Sequence, residues 1–216
     1  MSYIDTHYET VKSEKAGFMA GAKPDWLAET ISGAGSITYQ TANGGRAVLQ
    51  PGTGSTGDEV KLGVDGLNIS DFDALYIRNV LQHGPNAAPA NVCTTGVGFE
   101  DGDASERCTH FMNAATSSDP DADDVFNYSD SGGGRDRKFP TRVYNGEAVQ
   151  ETEVMFDTTN GIGVHRFQNA LGRLKTDIAL DAASSYFANT KIQTHDTATD
   201  RSLYIYEFEV AYLRRR

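Results

Sequence analysis

The sequence predicts an all-β fold in which two antiparallel sheets stack into a sandwich. From residue 36 onward, short runs rich in β-branched and aromatic residues recur about every eight to fifteen residues, separated by clusters of Gly, Asn, Asp and Ser. None of these runs has the length or the 3.6-residue period of a helix. The 216-residue chain also has 22 glycines and only 6 prolines, which indicates many turns. Strands without intervening helices favour two stacked antiparallel sheets.

The predicted strands fill the chain from residue 36 to its end. In order they are SITYQT (36–41), RAVLQ (46–50), DEVKLGV (58–64), ALYIRNVL (74–81), NVCTTGVGFE (91–100), CTHFMNA (108–114), DVFNY (124–128), KFPTRVY (138–144), TEVMFD (152–157), GVHRFQ (163–168), GRLKTDIAL (172–180), KIQTH (191–195) and SLYIYEFEVAYL (202–213). In the last run, strict alternation places Tyr204, Tyr206, Phe208, Val210 and Tyr212 on one face and Leu203, Ile205, Glu207 and Glu209 on the other. Because the second face becomes acidic at Glu207, we predict that the strand is buried on both faces only in its first part.

Residues 1–33 are predicted to form a short N-terminal arm beside a sandwich domain at 34–216. Asp5 or Thr6 is a suitable N-cap for a short helix, and a second brief helix is predicted from Pro24. Glycines interrupt both segments. Two interpretations stay open: the arm docks on a neighbouring subunit, or it is a flap folded over its own domain.

The charge balance bears on nucleic-acid binding and on the salt concentration in which the protein works. Thirty acidic against nineteen basic residues give a net charge of −11, which argues against a nucleic-acid partner. The acids divide into 19 Asp and 11 Glu, and the bases into 12 Arg and 7 Lys. Such an Asp-rich, Lys-poor surface is typical of proteins that work in molar salt, so we expect a halophilic setting; the alternative is an ordinary acidic surface.

The chain offers no signal for membrane insertion, export or a disulfide scaffold. No run approaches 18 consecutive apolar residues, and the N-terminus lacks the pattern of a signal peptide, so we expect no export by a leader of its own. The two cysteines, Cys93 and Cys108, lack zinc-site spacing. A hairpin around Asp101-Gly102 places Cys93 roughly opposite His110 and diagonal to Cys108, and a bridge between the two cysteines is left open.

A family resemblance lies in the closing stretch, from residue 167 to residue 213. It has three elements: Phe167, Asn169 and Leu174 in the first, Ile192, Gln193 and Thr194 in the second, and Ser202, Leu203 and Ile205 in the third. This pattern resembles the closing part of concanavalin A-like jelly-roll domains, particularly those of tailed-virus structural proteins. Ala170-Leu171-Gly172 stands where those domains have a tight Asn-Gly turn, and we expect a longer loop there. The resemblance implies a jelly-roll sandwich and says little about function.

Paired carboxylates are the first candidates for chemistry, since glycoside hydrolases occur among concanavalin-like folds and need two facing acids. Glu207 with Glu209 and Glu151 with Glu153 have same-face spacing. Neither pair has the Glu-x-Asp-x-x-Glu arrangement of the retaining hydrolases of this fold class. An exposed acidic strand face is the simpler interpretation, and we predict no catalytic residues.

Three further features were weighed as sites. Asp119 to Asp130 has calcium-loop length, but Asp124 stands where the loop needs glycine, so we predict a solvated acidic loop. Ser131-Gly132-Gly133-Gly134-Arg135 lacks the end of a phosphate loop. The histidines are scattered: His7, His83, His110, His165 and His195. We therefore predict no metal and no cofactor. Arg214-Arg215-Arg216 either contacts an acidic neighbouring subunit or is a solvated tail.

We therefore expect a non-enzymatic structural protein of a virion, such as a capsid decoration, a turret or a tail accessory. A sandwich with edge strands favours a closed homo-oligomer, a trimer or pentamer, that contacts other capsid or tail proteins. The alternatives are a module that binds host-surface glycans for attachment, and a glycoside hydrolase of concanavalin-like fold.

Overall fold

The computed structural model describes residues 7–52, 57–84, 93–101, 107–114, 126–130, 135–136, 149–157, 162–167, 170–175, 183–194 and 202–216. The backbone alone is described at 93–94, 107–114, 126–130, 135–136, 162–167 and 170–175.

The described chain is built from strands. They are β1 (Tyr8–Gly17), β2 (Ala28–Ile31), β3 (Ser36–Gln40), β4 (Arg46–Gln50), β5 (Glu59–Leu67), β6 (Ala74–His83), β7 (Cys93–Asp101), β8 (Arg107–Ala114), β9 (Phe126–Asp130), β10 (Arg135–Asp136), β11 (Gln150–Asp157), β12 (Ile162–Phe167), β13 (Ala170–Lys175), β14 (Tyr186–Thr194) and β15 (Leu203–Arg215). Apart from His7, the helical residues in this part of the chain form two single turns, Ala42–Gly44 and Ile69–Asp71. No described helix is long and apolar enough to cross a membrane.

The strands form two antiparallel sheets. Sheet A has the order β13-β12-β11-β6-β15-β4-β3, with β1 added along β15 beyond the β4 pairing. Sheet B has the order β10-β9-β8-β7-β14-β5-β2. The predicted all-β, two-sheet sandwich is confirmed. Of the predicted runs, all overlap observed strands except 138–144, which lies outside the described residues. The longer loop expected at Ala170-Leu171-Gly172 is wrong, because these residues belong to β13 and pair with β12.

The core lies between the sheets because alternate residues of the central strands point inward. Sheet B contributes Val60 and Leu62, and sheet A contributes Leu49 and Ile77, all of them buried. The ring of Phe99 meets that of Phe156 edge to face, with centroids 4.9 Å apart. These contacts join β7 of one sheet to β11 of the other.

Strand β15 does not alternate strictly, which corrects the predicted faces. A β-bulge lies between Ile205 and Glu207 in its pairing with β6. The extra residue, Tyr206, shifts the phase of the strand. Leu203 and Ile205 therefore share the core with Phe208 and Val210. The predicted separation of these residues onto opposite faces is wrong.

The N-terminal segment contributes strands to both sheets. The predicted helices are wrong: β1 pairs with β15 in sheet A, and β2 pairs with β5 in sheet B. Phe18, which follows β1, is fully buried and stacks near Tyr39. Of the two interpretations, this packing agrees with a segment folded onto its own domain. The division into an arm at 1–33 and a separate sandwich domain at 34–216 stays a prediction.

Candidate functional site

The outer face of sheet A carries a charge cluster centred on Arg78 of β6. Its Nε donates to Glu151 (2.7 Å) and its Nη1 donates to Glu207 (2.8 Å). Glu209 lies 3.8 Å from the same nitrogen, and Lys15 of β1 lies 2.9 Å from Glu207. Antiparallel register explains the grouping, since β11 and β15 flank β6 on its two sides.

Both carboxylate pairs selected from the sequence lie on this face. Hydrogen bonds from Lys15 and then Arg78 lower the pKa of Glu207. A glycosidase needs one carboxyl that stays protonated near neutral pH, which requires a raised pKa. Glu207 therefore does not suit the role of proton donor, and Arg78 holds both Glu207 and Glu151 in ion pairs.

The end of this face near the chain termini is closed by apolar packing. Six buried residues form a separate cluster there: Tyr8, Ala74, Tyr76, Met155, Ala211 and Leu213. The Tyr8 hydroxyl donates to Asp157 (2.7 Å), which also pairs with Arg215. Burial and the adjacent Asp157 raise the pKa of Tyr8, so it stays a hydrogen-bond donor. This end of the face offers little accessible surface.

The opposite end carries partly exposed aromatic and planar polar side chains, which we call the tyrosine-arginine patch: Gln40, Arg46, Gln82, Tyr204 and Tyr206. The Arg46 guanidinium lies over the Tyr204 ring, 4.0 Å from its centroid. Its Nε donates to the Gln40 side chain (3.0 Å). The Tyr206 hydroxyl donates to the Gln82 side chain (2.6 Å). Each planar group is therefore held by a neighbour.

Strand register builds this patch. Gln40 pairs with Arg46, and Tyr204 pairs with Gln82. Tyr204 and Tyr206 are separated by one residue, and the Tyr206 hydroxyl donates to Gln82, the register partner of Tyr204. Sequence reasoning noted the tyrosines but missed Arg46, Gln40 and Gln82. The sequence pattern around these three residues predicts strands with alternating faces. It does not indicate which strands become neighbours in the sheet.

The outer face of sheet B carries a ring of alternating charges. Lys61 contacts Glu59 (2.8 Å) and Glu100, and Lys191 contacts Glu59 (3.1 Å) and Glu100 (2.7 Å). The side chains of Glu100 and Lys191 are only 1% and 5% exposed. Buried charges are tolerated only when they are paired, and here each carboxylate faces both ammonium groups.

The ring stabilises the charged forms of Glu100 and Lys61. Burial opposes the charge on Glu100, but Lys191 and Lys61 outweigh it and lower its pKa. Burial likewise opposes the charge on Lys61, while Glu100 and Glu59 raise its pKa. These groups satisfy one another, so we assign the ring a structural role.

A row of polar groups lies between the sheets. The Nε2 atom of His83 on β6 is 2.8 Å from the Thr95 hydroxyl on β7. The Thr190 hydroxyl on β14 donates to the side chain of Asn79 on β6 (2.9 Å). Both hydrogen bonds join sheet A to sheet B. The sequence pattern shows His83 only as one of five scattered histidines and does not predict its buried position between the sheets.

Acid is expected to weaken the fold through His83. Burial lowers the pKa of His83 to about 3, whereas an unfolded histidine titrates near 6.5. Between these two pH values His83 is protonated in the unfolded chain but not in the folded protein. The free energy of unfolding therefore falls as the pH drops from about 6.5 towards 3. In urea unfolding, lowering the pH from 7 to 5 should cost the unaltered protein about 2 kcal/mol more than it costs His83→Gln. Equal losses in the two proteins would contradict this expectation.

The cysteine register separates Cys93 from Cys108. Cys108 pairs with Phe99, and His110 pairs with Val97 rather than lying opposite Cys93. Along β7, Cys93 is therefore about 20 Å from the partner of Cys108, at ~3.3 Å per residue. A disulfide needs Cα atoms within about 7 Å, so these two residues are not bridged within the chain.

The other sequence candidates fall in three places. Asp119 to Asp124, Ser131 to Gly134 and His195 lie outside the described residues, whereas Phe126–Asp130 forms β9. His110 and His165 lie on β8 and β12. The described residues include no group of three or more potential metal ligands. Arg214 donates to the Asp71 carbonyl (2.7 Å) and Arg215 pairs with Asp157, so both contact their own chain and belong to β15.

Comparison with known proteins places the fold among lectin-like jelly rolls. No protein-family model and no curated protein matches the sequence. A protein of unknown function from Shewanella oneidensis MR-1 is similar over 99% of this chain and 92% of its own, with 11% identity and a TM-score of 0.69. A lectin from Bauhinia forficata in complex with GalNAc is 8% identical over 93% and 98%, with a TM-score of 0.58. The CBM2 module of the evolved Dit of Lactobacillus casei BL23 phage J-1 is 12% identical over 94% and 97%, also with a TM-score of 0.58. At such identities the similarity establishes the fold alone: the chain has a concanavalin A-like jelly-roll sandwich fold.

Proposed function

We propose that this protein is a non-enzymatic glycan-binding module and that the tyrosine-arginine patch is its binding surface. The patch carries the proposal, because it presents aromatic rings beside planar hydrogen-bonding groups at the accessible end of sheet A. Sugars have apolar ring faces and hydroxyl edges, and such a surface complements both. The similar fold of a lectin bound to GalNAc supports the proposal.

The rigidity of the patch favours binding. Arg46 is held by Gln40 and Tyr204, and Tyr206 is held by Gln82. A surface that is already ordered loses little side-chain entropy when a ligand arrives. By contrast, the charge ring of sheet B is buried and internally satisfied, so it has little to offer a ligand.

The non-enzymatic part of the proposal rests on Arg78 and its carboxylates. The lowered pKa of Glu207 argues against this residue as the proton donor that glycosidic cleavage needs. Glu151 is held by the same arginine. An assay of polysaccharide cleavage is expected to find no turnover, and turnover that disappears in Glu207→Gln would contradict this expectation.

A glycan array with the intact protein tests the main proposal. We expect binding to at least one glycan, weakened about five- to tenfold by Tyr206→Ala, because an aromatic contact is removed. Tyr206→Phe is the matched control, since it keeps the ring and removes only the hydroxyl bond to Gln82. Binding to no glycan would overturn the function. Binding that Tyr206→Ala leaves unchanged would place the site elsewhere.

A second candidate function is a structural or attachment role in a virion, which one comparison favours because that similar module belongs to a phage protein. In this version the sandwich forms a closed trimer or pentamer, contacts capsid or tail proteins and belongs to a virus of a halophilic host. Sheet edges at β3 and β13 of sheet A and at β2 and β10 of sheet B provide surfaces for pairing. Copy number from mass spectrometry of purified virions tests the location. A monomer in light scattering at molar salt would contradict the oligomer.

A further inference from the structure

Arg46 has an environment unlike that of Arg78 on the same face. Arg78 contacts three carboxylates. Arg46 contacts a neutral amide through Nε and an aromatic ring through its guanidinium face. Among the residues that the structure describes, no carboxylate pairs with Arg46, although the protein carries a net charge of −11.

The contacts of Arg46 fix its orientation without consuming its remaining donors. A guanidinium has five N–H donors, and the Gln40 side chain takes the one on Nε. The Tyr204 ring covers one flat face of the guanidinium. The Nη1 and Nη2 atoms keep the paired donors that match a planar carboxylate in a bidentate arrangement.

The surroundings of Arg46 favour a sugar as the carrier of that carboxylate. The aromatic ring against Arg46 is that of Tyr204, which is itself partly exposed. The pairing of β4 with β15 ends at Ala47 and Ile205, so Arg46 and Tyr206 are the next residues of the two strands. Glu207, which follows Tyr206, already contacts Lys15 and Arg78 and does not compete for Arg46. A partly exposed ring next to an oriented guanidinium suits a pyranose that bears an acidic group.

We propose that the tyrosine-arginine patch recognises a carboxylate-bearing glycan, a uronic acid residue, with Arg46 as the carboxylate-binding and specificity-determining residue. This rests on the proposed glycan-binding function. Gln40 and Tyr204 act as positioning residues, since they hold the guanidinium in its binding orientation. Because the protein has a net negative charge, long-range attraction does not explain binding of an acidic glycan, and recognition relies on the single oriented guanidinium of Arg46.

Calorimetry with hexamers of galacturonate, glucuronate and mannuronate, each beside its carboxyl-reduced form, tests the inference on the full chain. At least one acidic hexamer should bind about tenfold more tightly than its reduced form, and Arg46→Lys should remove that difference. Arg214→Lys is the matched control because Arg214 is exposed and lies at the far end of β15; it should leave the difference unchanged.

Separate outcomes distinguish the two proposals. Equal affinity for acidic and reduced hexamers, or a difference that survives Arg46→Lys, overturns the inference while glycan binding stands. Preference for sulfate esters of the neutral hexamers over the uronates overturns the carboxylate assignment. Binding to none of these hexamers overturns the inference, and absence of binding on the whole glycan array overturns the function as well. Gln40→Ala should lower the affinity for the acidic hexamer about threefold and leave the affinity for its reduced form unchanged. A merely structural role of Gln40 would lower both affinities.

Discussion

Replacing Phe18 with alanine is expected to lower the free energy of unfolding by about 3–5 kcal/mol, the usual cost of removing a fully buried phenylalanine. Phe18 is 0% exposed and belongs to the main core, with its ring 5.6 Å from that of Tyr39. The variant leaves a cavity where the N-terminal segment crosses onto the sandwich. Urea unfolding followed by tyrosine and tryptophan fluorescence measures the loss.

The adjacent residue supplies the control. Met19 is 77% exposed, so Met19→Ala should change stability by less than about 0.5 kcal/mol. If Phe18→Ala costs no more than Met19→Ala, residues 1–33 behave as a detachable arm and their packing contributes little. If the large loss is found, the arm stabilises the sandwich, and deletion of residues 1–33 should destabilise the remaining domain.

Glu100→Gln is expected to lower the free energy of unfolding by about 3 kcal/mol or more, since it removes one of the two carboxylates that balance two buried ammonium groups. Lys61 and Lys191 would then share Glu59 alone. Because the native partners lower the pKa of Glu100, its contribution is present above the unfolded value of about 4.5 and is lost as pH falls below it. The difference in free energy of unfolding between the unaltered protein and Glu100→Gln, measured with urea, should therefore become smaller as the pH falls below about 4.5.

An exposed ion pair provides the comparison for the charge ring. Lys12 lies 3.0 Å from Glu14, but its side chain is 61% exposed. Glu14→Gln should therefore change stability by less than about 1 kcal/mol. A loss in Glu100→Gln as small as that in Glu14→Gln would show that the ring stabilises the fold no more than a surface pair does.

Much of the fold follows from local patterns in the sequence, and the exceptions have physical causes. Runs such as RAVLQ and ALYIRNVL are buried on at least one face, so their composition already indicates strands. The strand YETVKSEKAG was missed because only Tyr8 and Ala16 are buried in it. A strand so exposed, held at a sheet edge by backbone pairing, leaves no apolar alternation to detect.

The candidate site was less predictable than the fold. A β-bulge adds one residue without any change in composition, so LYIYEFEVAYL gives no sign that Tyr206 shifts the phase. The patch also joins residues from β3, β4, β6 and β15. Which strands become neighbours is decided by long-range pairing, and one sequence does not contain that information directly. The sequence did identify the carboxylates around Arg78, although their electrostatics made them structural.

The pairing of β1 with β15 also determines how the module is held. Tyr8 pairs with Arg215, so the two ends of the described chain emerge side by side at one pole of sheet A. Tyr204 lies near the other end of β15, about 35 Å away at ~3.3 Å per residue. A tether fused after Arg216 would leave from the pole opposite the tyrosine-arginine patch. Immobilised by its terminus, the module would hold that patch outward, away from the surface that carries it.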